Sequence, residues 1–450
     1  MKNRYLVGLI AFGALAVAAY SQSQDAIVLK LTGGEKKKIA LPDFRATGAA
    51  GALVEAFNKT VFEDIQQSGL FDMAAKSFYP LNPPQQEADL RAGQATCAGR
   101  CLSDWAGTPV SAGYLGFGYA AEQGGQFVAF GHLYNTAVAD LAGAKVFRKL
   151  YNAPLSEEGA RKAGHEYAAD ILAQFGAASL VGSKIYFVSD RTGRGNKEIW
   201  VMDFDGSNQS RVTSFNSITT MPAISPDGRR LAFTTYAKGQ PQIMLYSTET
   251  SRFINFLNPQ ASMNATPSFT PDGQSILFSS TISGFSQIYI ANQSGGGMKR
   301  LSNSRSIEME AKVNPKTGTE MIFVSGRGGL QQIYRMSLDG ADVVRLTNGE
   351  GEASNPAWHP DGQHIAFAWT RGYSPGNWNV FLMDVASRET VQLTHGEGKN
   401  ENPTWAPDGR HLVFSSNRSG RSQIYSMLAN GTEVKQLTTQ GGNWMPVWSK

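Results

Sequence analysis

The chain has little of what would mark a metalloenzyme, a nucleotide enzyme or a nucleic-acid binder. It carries two cysteines and six histidines in 450 residues, and the histidines show neither HExxH nor any other paired metal spacing. Two thiols cannot complete a tetrahedral zinc site, and no histidine lies close in sequence to either one. A P-loop and a dinucleotide fingerprint are both missing, so no motif implies a cofactor. Charge of one sign is scarce as well: 41 Lys plus Arg stand against 37 Asp plus Glu, a net of +4 with no long basic run. That argues against nucleic acid as a partner. Beyond the N-terminus no apolar run approaches the ~20 residues of a membrane span.

What is present suits a globular protein with many turns: 17% charged residues, 41% hydrophobic ones and 48 glycines. The first residues, MKNRYLVGLIAFGALAVAAYSQSQ, place Lys2 and Arg4 before an apolar run from Tyr5 to Ala19, then small and polar residues. This reads as a secretory signal peptide over residues 1–23, with cleavage near Ala19 to Ser23. Export to an oxidising compartment makes Cys97 and Cys101, in CAGRC, a candidate local disulfide.

The chain then divides in two. Residues 24–178 read as an α/β domain that opens with an extended arm, Ala26, Ile27, Val28, Leu29, Lys30 and Leu31, followed by a strand from Ile39 to Phe44. Val54, Phe57, Val61 and Ile65 recur at helical steps and Gly69 stops the helix. No element is assigned from Phe78 to Gly107. A hairpin is expected across Glu122 to Gly125, and Ser156 followed by Glu157 and Glu158 starts a second helix with Tyr167, Ile171 and Phe175 on its apolar face.

Residues 179–450 read as an all-β, six-bladed β-propeller. PAISPDGRRLAF from Pro222 returns as PSFTPDGQSILF from Pro267, AKVNPKTGTEMIF from Ala311, PAWHPDGQHIAF from Pro356, PTWAPDGRHLVF from Pro403 and PVWSK from Pro446, at steps of 45, 44, 45, 47 and 43. A period of 40–50 residues is the signature of four-stranded propeller blades. The block at Lys184 lacks a first strand and the block at Pro446 lacks everything after it, so pairing the two closes the ring and leaves no open edge.

The repeated Asp-Gly, with Asp227, Asp272, Asp361 and Asp408, is better explained by hairpin turns than by catalysis. Gly372–Gly376, GYSPG, matches GxSxG by chance, because Pro375 removes the amide after Ser374 and no strand-to-helix turn is expected there. Trp358, Trp405 and Trp448 share one repeat position and read as blade packing. More informative are the approach segments before each first strand: ITTM with Thr220, MNAT with Met263, Asn264 and Thr266, EME with Met309, ASN with Asn355, NEN with Asn402 and NWM with Trp444. As polar loops with methionines they would ring one mouth of the channel and suit a protein partner.

The signal peptide, SEEGARKAGHEYAADILAQF leading into KIYFVSDRTGRGNKEIWVMDFDGSNQSRVTS, and the PxWSPDGxxLAF repeats together resemble the TolB family of periplasmic Tol-Pal components. The resemblance covers almost the whole mature chain. It implies a non-enzymatic adaptor in the periplasm, serving outer-membrane integrity and constriction at cell division. By position it implies that Met263, Asn264, Thr266 and Met309 meet a Pal-like lipoprotein, and that the arm Ala26–Leu31 meets a TolA-like inner-membrane protein. Other outer-membrane lipoproteins are further candidate partners. Two alternatives stay open: the propeller of a peptidase-like hydrolase, whose catalytic domain of over a hundred residues would have to follow Lys450, and a glycan- or small-ligand-binding propeller.

Overall fold

The computed structural model describes residues 36–91, 97–193 and 195–450 together with Ile27 and Leu31. The expected signal peptide, and Ala26, Val28, Leu29 and Lys30 of the arm, lie outside the described residues. Two compact units divide the chain: Thr32–Val181, and Gly182–Lys450, which also takes in Ile27 and Leu31.

In the first unit a sheet runs in the order Phe71–Met73, Lys37–Ala40, Tyr114–Gln123, Gln126–Asn135, Lys145–Pro154, and Arg45–Thr47 also pairs with Tyr114–Gln123. The expected hairpin turns on Gly124 and Gly125, whose φ of 59° and 74° are what a tight two-residue turn demands. Helices Val54–Gln67 and Glu157–Ala173 follow the apolar periods, and Phe57, Val61, Ile65, Tyr167 and Ile171 share one buried cluster with the sheet. Ser156 caps the second helix by accepting the Gly159 amide at 3.1 Å. Lys145–Pro154 is a strand the sequence reading did not find. It lies at the sheet edge and buries only Tyr151 and Ala153, so its Lys and Arg residues hide the alternation while guarding the edge.

Between Phe78 and Gly107, where no element was expected, short helical turns form at Glu87–Asp89 and Ser103–Ala106. Cys97 and Cys101 are joined by a disulfide. The loop closes over the Asp104 carboxylate, which accepts the amides of Cys97 at 3.1 Å, Gly99 at 2.7 Å and Cys101 at 3.3 Å.

The second unit is a six-bladed propeller of four-stranded sheets. Blade 1 joins Asn443–Trp448 to Lys184–Ser189, Glu198–Asp203 and Ser210–Arg211; blades 2 to 6 begin at Thr219, Asn264, Glu308, Ala353 and Asn400. Closure is as expected: Trp448 pairs with Ile185 and Val447 with Tyr186. Local chemistry explains why each repeat folds alike. In the turn after the first strand, Asp227 accepts the Ser225 hydroxyl at 2.5 Å and the Arg229 amide at 3.1 Å. Asp272 does the same with Thr270 and Gln274. Blade 4 lacks the aspartate, and there Asn314 Oδ1 accepts the Lys316 amide at 2.9 Å, so an amide oxygen replaces the carboxylate.

A second repeated device ties the outermost strand to the third. Hydroxyls of Thr213, Ser302, Thr347, Thr394 and Thr438 accept the amides of Ile199, Ile288, Ile333, Val380 and Ile424 at 2.8–3.0 Å. Each also donates to a buried Glu, Gln or Asn, as Thr347 does to Gln332 Oε1 at 2.6 Å. The RVT, RLS, RLT and QLT endings owe their hydroxyl to this double bond.

One expectation is corrected here. Ile27 and Leu31 are helical, not extended. Both are buried in the cluster of blades 5 and 6 that includes Leu382, Val391, Leu393 and Tyr425. Two aliphatic side chains gain more by leaving water in that apolar seam than a solvated extended arm offers.

Candidate functional site

Each innermost strand breaks its ladder at the same place. The register shifts between Thr220 and Ala223, Ala265 and Ser268, Met309 and Lys312, Ser354 and Ala357, Glu401 and Thr404, and Trp444 and Val447. Inside every shift stands one left-handed residue: Met221, Thr266, Glu310, Asn355, Asn402 or Met445, with φ from 51° to 57°. A proline follows it in every blade except the fourth, which has Ala311. Proline has no N–H to contribute to a ladder, so a bulge is where it is tolerated. A side chain held left-handed costs ~1–3 kcal/mol, and such strain gathers where function needs it.

The six left-handed residues converge on a cavity of about 110 Å³ in the channel. Hydrogen bonds link them from blade to blade. Glu310 N–H donates to Thr266 Oγ1 at 3.4 Å, Asn355 N–H to Glu310 Oε2 at 2.7 Å, and Asn402 N–H to Asn355 Oδ1 at 3.3 Å. Thr266, Glu310 and Asn355 thus each accept the bulge amide of the next blade, whereas the Thr266 amide itself donates to Thr234 Oγ1 at 3.2 Å. In blades 1 and 2 the position holds the thioethers of Met445 and Met221, and the Thr220 hydroxyl donates to Met445 Sδ at 3.0 Å. The ring is therefore polar over blades 3 to 6 and soft and apolar over blades 1 and 2.

Glu310 and Lys312 are the charged residues lining this cavity. Enclosure in the channel pushes the Glu310 carboxyl up, against the opposing pull of its bonds from Asn355 and Ser354 and of the Lys312 charge. Enclosure likewise pushes the Lys312 ammonium down, opposed by Glu310. Both shifts disfavour the charged forms, and the two groups are of opposite sign, so the pair adds hydrogen-bonding groups to the cavity with little net charge.

On the other side of Lys312 the channel widens into a cavity of about 590 Å³, lined by Ile224, Phe269, Val313, Trp358, Trp405 and Trp448 among others. Trp358 donates its indole N–H to Lys312 O at 3.0 Å and Trp448 to Ser183 Oγ at 2.9 Å, so both are built into the blades.

The sequence-predicted residues do not all meet. Thr266, Asn355 and Asn402 line the channel cavity. Asn264 is interior, 1% exposed, with its side-chain amide donating to Pro259 O at 3.0 Å. Thr220, Met309 and Trp444 are half-buried residues of the innermost strands, and the Lys197 ammonium lies 4.3 Å from the Trp444 ring. Met263 is half-buried just before its strand, its amide donating to Thr281 Oγ1 at 3.0 Å. The approach segments are therefore halves of strands, not loops. The bulge lets them keep pairing while turning one residue toward the axis. Missed by the reading were Met221, Glu310, Met445 and Lys312. The column immediately before the repeat's proline would have found the first three.

Comparison with known proteins agrees with this architecture. A family model described as "TolB beta propeller domain" (PD40) matches residues 173–354 and 345–450. The chain is 30% identical over 229 residues to a protein TolB homolog of Chlorobium chlorochromatii, covering 50% of this chain and 48% of that one. It is 30% identical over 271 residues to the Tol-Pal system protein TolB of Dinoroseobacter shibae, covering 56% and 55%. The chain thus spans about half the length of the curated relatives it matches. The crystal structure of TolB from Acinetobacter baumannii superposes with a TM-score of 0.72 at 25% identity, covering 92% of this chain and 97% of that one. With six blades, a C-terminal strand closing the first, and a family match over more than half its length, the chain belongs to the TolB β-propeller domain family.

Proposed function

We propose that the protein is a non-enzymatic periplasmic adaptor of a Tol-Pal-type envelope system. In this reading a Pal-like lipoprotein enters the channel mouth and the N-terminal arm recruits a TolA-like inner-membrane protein, in support of outer-membrane integrity and constriction at division. The observation that carries the reading is the bulge ring, six strained residues at equivalent positions around one axis, which has the mixed thioether and amide character of an adaptable protein-binding surface. The burial of Ile27 and Leu31 in the propeller supplies a competing state for the arm. A segment seated there is withdrawn from any other partner, so a ligand that binds the two states unequally shifts the balance between them.

The test is a pull-down from envelope extract with the mature protein and with Met263→Glu, a charge placed half-buried beside the channel strand of blade 3. The expected outcome is recovery of a Pal-like lipoprotein by the parent chain and a loss of about tenfold in the variant, since a carboxylate left unpaired when a partner covers it costs about 1.4 kcal/mol or more. Recovery of no such lipoprotein, or equal recovery by both, would refute the reading.

A further inference from the structure

Blade 5 makes its first turn on His359-Pro360-Asp361-Gly362-Gln363-His364, with Gly362 at φ 70° as in the sister turns. Its flanks are different. At the position of His359 blades 2, 3, 4 and 6 carry Ser225, Thr270, Asn314 and Ala406, and at that of His364 they carry Arg230, Ser275, Glu320 and His411. The turn forms with any of these, so turn geometry does not ask for two histidines.

The fold brings the pair onto one carboxylate. His359 Nδ1 lies 3.0 Å from Asp361 Oδ1 and His364 Nδ1 lies 2.7 Å from Asp361 Oδ2, and one ligand atom from each residue falls within 4.8 Å of the others. The two distal ring nitrogens are informative. His359 Nε2 is 2.8 Å from the Gly409 carbonyl oxygen, which only accepts, so this nitrogen carries a proton. A neutral His359 then turns the lone pair of Nδ1 toward Asp361, whose amide donates to it at 3.1 Å. That lone pair is engaged by the amide, so an ion between His359 Nδ1 and the Asp361 carboxylate would have to displace this bond. His364 is 0% exposed, and while its Nδ1–H donates to Asp361 its Nε2 has no hydrogen-bond partner. Asp384 Oδ2 stands 3.5 Å from that nitrogen. Moving the proton from Nδ1 to Nε2 would give Asp384 a donor and free Nδ1 as a ligand.

We propose that His359 Nδ1, His364 Nδ1 and the Asp361 carboxylate bind one zinc-class divalent cation. Asp361 Oδ1 already accepts the amides of Gln363 at 2.7 Å and His364 at 3.1 Å, which leaves Oδ2 for the ion. Two imidazoles and a carboxylate favour zinc-like metals over the all-oxygen shells of calcium and magnesium. Three protein ligands leave a fourth position for water. Each histidine would hold its far N–H on an acceptor, Gly409 O or Asp384, the outer support that metal-binding histidines ordinarily have. Bonds of about 2.0–2.2 Å in a tetrahedral shell put ligand atoms about 3.3–3.6 Å apart, so His364 Nδ1 and Asp361 Oδ2, at 2.7 Å, have to separate by more than half an ångström. Half-exposed Asp361 provides the way in. Since His359 bonds Gly409 and packs against Trp405 at 4.5 Å, the ion would fasten blade 5 to blade 6.

The full chain, stripped with a chelator and dialysed, is titrated with Zn²⁺ against a chromophoric competitor and separately with Co²⁺ under visible absorption. One equivalent of Zn²⁺ is expected, with intense four-coordinate Co²⁺ bands. His359→Ser and His364→Ser, which install residues that blades 2 and 3 already use, should abolish this stoichiometric binding. Asp384→Asn should weaken it about 10–100-fold, while His395→Ala, at an exposed histidine, should leave it unchanged. A further readout needs no variant: imidazole ¹⁵N NMR of the parent chain should show the His364 proton moving from Nδ1 to Nε2 as Zn²⁺ is added. Absence of stoichiometric uptake, uptake that survives both serine variants, or an unmoved tautomer at saturating Zn²⁺ would overturn the assignment.

Discussion

Asp408 is all but sealed from water, its side chain 3% exposed, and His411 Nδ1 is 2.6 Å from it. Burial works to raise its pKa, but the His411 charge and hydrogen bond, with the amides of Arg410 and His411, hold it below the ordinary carboxylate value. The sign follows from linkage. The unfolded chain takes up the proton first as pH falls, so the stability this group contributes is present above about pH 4 and is lost as pH drops through the lower folded value. Asp408→Asn should therefore cost about 1.5–3 kcal/mol near neutrality, the worth of a charged hydrogen bond. In a series of thermal scans the difference in melting temperature from the parent chain should begin to shrink at about pH 4 and disappear only below the depressed folded value. Residue identity made the aspartates legible as turn formers, because Asp-Gly acts within a few residues. It left the cluster of His359, Asp361 and His364 illegible: a spacing of two and three residues suits no helix or strand face, and only the turn folds them together.

At the scale of the strand, the hydroxyl after the outer strand in five of the six blades, replaced by Asn258 Oδ1 in blade 2, is the sharpest example of a short signal with a structural cause. Thr347 is fully buried and bonds both the Ile333 amide and Gln332. Thr347→Val keeps the shape and removes both bonds, leaving a buried amide and a buried carboxamide oxygen unsatisfied. The expected loss is about 2–4 kcal/mol, taking ~1–3 for each stranded group with partial relaxation, measured by denaturant unfolding. Blade 4 should report it first as faster amide exchange at Ile333. The bulges, by contrast, could not be read as strand. Four of their residues are Met, Thr and Glu, types that seldom adopt a positive φ, and only Asn355 and Asn402 favour it, while the following proline reads as a strand start when it sits in the middle of one.

For the whole molecule, the ring was readable from period and missing halves alone, since a blade without its first strand and a first strand without its blade have one economical solution. The N-terminal unit was less so, because its edge strand carries charges and its region around the disulfide is held by Asp104 and not by any periodic pattern. Removing Pro446–Lys450 deletes Val447 and Trp448 from blade 1, and burial of a tryptophan alone is worth about 3–5 kcal/mol. Hydrogen exchange should show Tyr186 and Val188 unprotected in the truncated chain while blades 3 and 4 keep their protection.

The pairing of Asn443–Trp448 with Lys184–Ser189 also sets a calendar for biogenesis. A ribosome or translocon delivers the start of the propeller some 250 residues ahead of the strand it needs, so through most of synthesis the nascent polypeptide is an arc with a bare margin at its leading end. Whatever accompanies the nascent polypeptide has to shield that margin until Asn443–Trp448 arrives, and a tag fused beside that strand delays the moment of sealing.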